Sequence, residues 1–363
     1  MAGRKNKTKR ARRRKKKTWV NSRKLKLWSA GLALLLFTIY FFIKTLFFSN
    51  IQLRSEKYMV YAHEDQPLTS LADSMKTKGI LGNSFTLKTL AFITGRSSVH
   101  QGLYEVKNGW NNIQILFHLS RKPIRESVKV SVPIRKLRRN VLKVLCKDLS
   151  VTESDVVTLF QNEAFLKEYD PAFDKESVYG LFIAGDFYAY QDLTPEELFE
   201  CLYNEYCLFW TPERIAKCEE AGLTPLEAGI LASIVYAETK LEEEMPAIAG
   251  LYLNRLSSNM RLQADPTVVY AAGQANIRRV LKRHKKIQSS YNTYRVNGLP
   301  PGPVFTVPAK AIDAVLDYES HDYLFFCADP DMSGGHVFAE TYEQHKENAR
   351  KYQQKLNRMG IYR

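Results

Sequence analysis

The chain has 363 residues, enough for two compact domains beyond any tail. Its net charge of +15 invites a nucleic-acid reading, but the first 26 residues hold 14 of the 53 Lys and Arg and no acid, leaving 39 basic against 38 acidic side chains in the remainder. A globular nucleic-acid binder spreads basic charge over a folded face. Here a tail expected to be disordered carries it, and nucleic acid is excluded as a partner.

After this tail (1–26), Leu27 to Phe48 is predominantly apolar and is interrupted by one charge only, Lys44, and about 20 such residues suffice to cross a bilayer. Lys44 lies near one end, where its long stem carries the ammonium to the interface, and Trp28 and Tyr40 suit interfacial or packed positions. A cleaved signal peptide would have a shorter apolar core, about 7–15 residues, and a small-residue cleavage site, whereas SNIQLRSEKY follows here. The reading is a retained single-pass anchor over 27–48 with the basic N-terminus in the cytoplasm and residues 50–363 outside it. Cys146, Cys201, Cys207, Cys218 and Cys327 form no metal-ligand spacing and are odd in number, so at least one is a free thiol and the pairing of the others stays open.

From 49 to about 125 the pattern is short and mixed: an alternating run near Tyr58–Tyr61, a helix over Leu68–Lys78 and the segment 102–120, which together fit a small α+β module. The next part, 126–222, opens with a strand at 127–133 and continues in helical stretches over 135–147, 152–169 and 192–222, where Thr194 caps and Pro195 starts a helix. The fold class is therefore mixed α+β, with its informative third at 223–363, ending in a C-terminal helix.

Thr224-Pro225-Leu226-Glu227 is a capping box with proline at the first helical position, and predicts a helix from Pro225 to about Thr239. Leu226, Ile230, Leu231, Ile234 and Val235 fall on one apolar stripe. Glu238 lies on that same stripe, within about 20° of Leu231 in projection. A carboxyl shielded from water on one side has a raised pKa, which favours the protonated form a general acid needs. Glu242, Glu243 and Glu244 precede Pro246 and the helix that follows, where acids complement the helix dipole and require no chemistry. Asp265, before Pro266 and a short helix closed by Gly273, reads as an N-cap.

Three features lie downstream. YNTYRVNGLPPGP (291–303) joins tyrosines, an amide and a hydroxyl to a rigid Gly/Pro turn, a chemistry suited to the apolar faces and hydroxyl rims of a sugar. GGHVFAE (334–340) places His336 and Phe338 on one side of a strand. RRVLKRHKK (278–286) is a basic run, ordinarily a solvated face.

Taken in order and spacing, LASIVYAET, AGLYLNRL, MRLQADPTVVYAAG, YNTYRVNGLPPGP and GGHVFAETYEQH, over about 115 residues, resemble the endolytic murein transglycosylases of bacteria. The resemblance extends more weakly back to about residue 50. It implies that 49–125 is a LysM-like module and that the catalytic glutamate is Glu238. It further implies that Asn254, Arg255, Gln263, Asp265, Tyr291, Asn292, Thr293, Tyr294 and His336 bind substrate or brace the cleft. Peptidoglycan glycan strands would be the substrate, penicillin-binding proteins or other wall synthases the partners, and no metal or organic cofactor is required. The pattern departs at Tyr236, where the family often has a second glutamate, and at GLFIAGDFYAY (180–190), where it has a Pro- and Glu-containing turn. Two other readings stay open: a muramidase-type hydrolase with Asp265 as second carboxylate, and a non-catalytic glycan-binding scaffold.

Overall fold

The computed structural model describes residues 4–135, 138–273, 277 and 280–360; positions 136 and 137 of the helix expected over 135–147 and the first two residues of the basic run lie outside them. No proline occurs between Arg4 and Phe47, and Lys, Arg, Ala and Leu all favour helix. The first helix, α1 (Arg4–Phe47), accordingly takes in both the basic segment and the apolar one. This corrects the expectation of a disordered tail over the described part of that segment. Lys24–Lys44 is long and apolar enough to cross a membrane, and none of its residues is buried within the protein, which is consistent with a single-pass anchor.

The described residues fall into two compact units. The first runs from α1 to Leu53 and from Ala62 to Lys122. After strand β1 (Lys57–Ala62), most of which belongs to the second unit, come β2 (Gln66–Pro67), α2 (Leu68–Thr77), α3 (Ser84–Thr94), β3 (Ser98–Val99), β4 (Gly102–Lys107) and α4 (Asn112–Leu119). β2 pairs with β3 antiparallel. Asn83 caps α3 by accepting from the amides of Phe85 and Thr86. Asn111 and Gln114 close a capping box on α4. Leu71 and Met75 of α2, Leu87 and Leu90 of α3, and Ile115 and Leu119 of α4 form the interior.

The second unit contains β5 (Ser127–Val132), α5 (Arg138–Leu145), α6 (Glu153–Phe160), α7 (Glu163–Tyr169), β6 (Ile183–Tyr190), α8 (Pro195–Phe209), α9 (Pro212–Glu220), α10 (Pro225–Glu238), α11 (Met245–Ser257), α12 (Asp265–Ala271), β7 (Val307–Pro308), α13 (Ala309–Leu316), β8 (Phe325–Ala328), β9 (His336–Ala339) and α14 (Tyr342–Arg358). β5 and β6 pair antiparallel from Ser127↔Tyr190 to Val132↔Gly185, and β6 continues to β7 in parallel. β8 and β9 make a separate antiparallel pair. The stretch 152–169 divides into α6 and α7 because Asn162 caps a new helix. Most of the divergent segment 180–190 is β6, the middle strand of the three-stranded sheet.

The centre of this unit is α10. Its capping box at Thr224 and Glu227 is present as the sequence predicts. The single apolar stripe is not: Ala228, Ile230, Leu231, Ala232, Ser233, Ile234 and Val235 are all buried, so the helix is enclosed by α9, α11, α12 and α13. Small residues at 228, 232 and 233 let neighbouring elements approach on the sides where the sequence suggests solvent. Each fully buried Ile, Leu or Val contributes roughly 1.5–3 kcal/mol, well above the ~1 kcal/mol of a cap, so packing holds α10 more strongly than its cap does. All five cysteines are free thiols, with Cys146, Cys201 and Cys218 buried.

Candidate functional site

Glu238 is the last residue of α10 and only partly exposed. The phenol of Tyr252, on the buried face of α11, donates to its Oε1 at 3.0 Å. Burial pushes the Glu238 carboxyl up to about 7, the charge of Asp265 pushes the same way, and the Tyr252 hydrogen bond and the Arg255 charge oppose them. Burial and the adjacent carboxylate hold the Tyr252 phenol well above its ordinary value, so it stays a neutral donor. The carboxyl is thus poised between its two protonation states near neutrality, as a group that alternately gives and takes a proton requires.

Arg255, on α11 and buried, does not pair with Glu238. It donates from Nε to the carbonyl of Leu324 and from Nη1 to that of Leu262, both at 2.6 Å. It therefore ties α11 to β8 and to the segment before α12 while acting on Glu238 through its charge. Asn254 beside it donates to the carbonyls of His321 at 2.6 Å and Tyr323 at 3.1 Å, a bracing role. Gly250, one turn earlier, lets the Glu319 carbonyl approach so closely that a Cβ would lie 2.2 Å from it.

The expected N-cap at Asp265 is a misreading. Ala264 occupies the cap position without a side-chain bond, and Asp265 is the first helical residue. Its Oδ1 is free of capping duty and accepts from the Tyr294 hydroxyl at 2.6 Å, with Lys285 Nζ 3.7 Å away and also donating to that hydroxyl at 2.8 Å. Thr293 is fully buried; its hydroxyl accepts from the Ala264 amide at 3.0 Å and meets that of Thr267 at 2.8 Å. Asn292, equally buried, holds the carbonyls of Lys285 and Ile287. Asn292 and Thr293 therefore lock the loop from inside, while Tyr294 and Asp265 face outward. Tyr291 donates to Glu176 at 2.9 Å across Gly302, where a Cβ would lie 2.3 Å from the Glu176 carbonyl. Gln263 is exposed, with a backbone φ of 52°, a region costly for a residue with a Cβ. Its amide is held by the Thr293 carbonyl at 3.1 Å.

His336, on β9, does not stand alone. Glu244 accepts from its backbone amide at 2.6 Å, meets Nδ1 at 2.9 Å, and accepts from Thr239 Oγ1 at 3.2 Å. Glu244 is thus part of the site's frame, not merely a helix-dipole acid. The Phe326 ring lies edge-on to both His336 and Tyr252, a packed path from this cluster to the partner of Glu238. Tyr236 packs against Phe305, with Lys240 above its ring. Sequence reasoning missed Tyr252 and Glu244. Tyr252 was accessible in principle, since Ile248, Leu251, Tyr252 and Arg255 share one helical face; the Glu244 contact depends on a turn about 90 residues away and leaves no local trace.

A mixed α+β unit presenting a shielded carboxyl beneath a rigid, tyrosine-bearing turn is the class that the fold and site define. The chain belongs to the YceG-like family, whose pattern matches residues 60–351. It is 24% identical over 301 residues to an endolytic murein transglycosylase of Bacillus subtilis strain 168, covering 78% of this chain and 82% of that one. Over 141 residues it is 33% identical to an endolytic murein transglycosylase of Streptococcus pneumoniae serotype 2 (strain D39), spanning 38% of this chain and 25% of that one. Among solved structures, a YceG-like protein of Listeria monocytogenes shares the fold at 21% identity and a TM-score of 0.51, covering 81% of this chain and 99% of that one.

Proposed function

We propose that this protein is an endolytic peptidoglycan lytic transglycosylase, cutting the β-1,4 bond between N-acetylmuramic acid and N-acetylglucosamine within glycan strands. The carrying observation is a carboxyl raised to about 7 by burial at the end of a core helix, in a chain whose relatives bear that activity in their names. Protonated Glu238 gives its proton to the glycosidic oxygen as the C1–O bond breaks. The resulting carboxylate then takes the proton of the muramic acid 6-hydroxyl while that oxygen attacks C1. The proton count closes, no water is consumed, and the product end is a 1,6-anhydro sugar.

Tyr252 keeps the carboxyl oriented and supports its ionised form; Arg255 adds positive charge without forming a pair that would quench the acid. The exposed Gln263 and the half-buried Asp265, Tyr294 and His336 offer contacts to sugar hydroxyls, and Asn254, Tyr291, Asn292 and Thr293 keep their backbone in place. We read 27–48 as an anchor with the N-terminus cytoplasmic, and 49–125 as a LysM-like module that precedes the catalytic region in the chain. The product separates this reading from its rivals. Full-length protein in detergent, incubated with purified glycan strands, should release anhydro-ended fragments by mass spectrometry, and Glu238→Gln should release none. Hydrated reducing ends would assign a hydrolase using Asp265, and binding without cleavage would assign a scaffold.

A further inference from the structure

We propose that α3 and α4 of the first unit form a footing on the outer leaflet of the membrane, with Phe85, Phe92 and Phe117 entering its interfacial region. The inference rests on the reading of α1 as a membrane anchor.

Where the anchor ends is fixed by hydrogen bonds. Helix α1 stops at Phe47, and Ser49 bridges to Asn111, the N-cap of α4. Asn50 is buried; its Nδ2 donates to the Asn83 carbonyl at 2.8 Å and to Asn112 Oδ1 at 2.7 Å, and its Oδ1 accepts from the Asn83 amide at 2.7 Å. The N-termini of α3 and α4 are therefore both clamped to a residue three positions past the anchor helix, and three residues of chain reach at most about 11 Å. No flexible linker separates them from the bilayer surface.

The two helices run side by side in the same direction. Asn112 of α4 donates to Thr86 Oγ1 near the start of α3 at 3.1 Å, and Arg96, just past its end, lies 4.6 Å from the centre of the Phe117 ring. While Leu87, Leu90 and Ala91 are buried, Phe85 is 65% exposed, Phe92 86% and Phe117 47%. Phe85 and Phe92 are seven residues apart, hence on one side of α3 and about 10.5 Å apart along it. Exposed aromatic rings on adjacent helices are costly in bulk water and favoured at headgroup depth. The charge agrees: 79–99 and 108–122 contain Lys88, Arg96, Arg121 and Lys122 and no acid, with Lys88 matched by Asp73 of α2. Such a face suits anionic headgroups.

The test uses the full chain reconstituted in vesicles of phosphatidylcholine and phosphatidylglycerol. A phospholipid with a diazirine near the glycerol is included, and adducts are mapped by peptide mass spectrometry after illumination. Adducts on 84–96 and 112–119 together with the anchor are expected, and Phe85→Ser with Phe92→Ser should bring those on α3 to background while leaving anchor labelling unchanged. Adducts confined to the anchor would overturn the footing and leave the face to a protein partner or solvent. Unlabelled anchor residues would overturn the membrane reading itself, and the footing with it. Undiminished α3 labelling in the double variant would show that these rings do not make the contact.

Discussion

Replacing Tyr252 with phenylalanine removes one hydroxyl, the donor to Glu238 Oε1 at 3.0 Å, and leaves a ring of the same shape in a site that is almost fully buried. A hydrogen bond to a charged acceptor is worth about 1.5–3 kcal/mol. That bond favours the carboxylate, so its loss raises the Glu238 pKa by about 1–2 units at 1.36 kcal/mol per unit. In the native enzyme the acid is lost as pH rises through about 7, and that limb of the kcat/KM profile reports the free enzyme. In Tyr252→Phe the limb should move to higher pH by the same 1–2 units or so. The plateau should fall about 10- to 100-fold, because the carboxylate that develops on proton transfer has lost its donor. The assay is release of anhydro-ended fragments across pH 5 to 10. A lowered plateau with an unmoved limb would refute the electrostatic argument and leave Tyr252 a packing residue; no change in either would make the hydroxyl idle.

Glu238→Gln should also alter stability. The folded-state pKa near 7 lies above the ordinary 4.5, so native stability is at its full value below pH 4.5 and declines as pH rises through 7, by about 3 kcal/mol in all. Urea denaturation of the detergent-solubilised chain at pH 4 and pH 8 should show this slope in the native protein and its loss in the variant; parallel curves would contradict a buried acid. Glu244→Ala strands the His336 amide, its Nδ1 and the Thr239 hydroxyl, and should destabilise the second unit by about 2–3 kcal/mol, read as a lower urea midpoint. An unchanged midpoint would mean that water replaces the carboxylate. Gly302→Ala drives a methyl toward the Glu176 carbonyl, 2.3 Å from its Cβ position, and the Tyr291 hydroxyl at 2.8 Å. It should cost about 1–3 kcal/mol and raise KM more than it lowers kcat, since it displaces the loop and not the acid.

Local rules carried the sequence reading furthest where cap and period agreed. Thr194, Thr224 and Pro246 mark helix starts that the structure has at Pro195, Pro225 and Met245. Glu238 was legible as a carboxyl on an apolar helix, although the helix proved buried on more sides than its large residues indicate, because Ala and Ser carry no periodic signal. Asp265 failed for an instructive reason: Asp before Pro is a strong cap pattern, but here the side chain turns to Tyr294 and Lys285, partners some 20 to 30 residues away. Glu244 failed in the same manner. Local charge placement explained it sufficiently, and the His336 contact lies far along the chain.

Because α10 is packed on nearly all sides, the proposed acid is attached to what should be among the last segments to open. Binding loops are commonly drawn from the least stable parts of a fold; here one reacting group has little freedom to approach its target. The glycan must therefore be brought to a fixed proton, and adaptation to strand shape falls to the loops bearing Gln263 and Tyr294. For variants, this couples two properties that many enzymes keep apart. A substitution inside α10 that loosens the core, such as Ile234→Ala at about 2–5 kcal/mol, should alter the protonation of Glu238 as it weakens the fold, so turnover and thermal resistance would decline together.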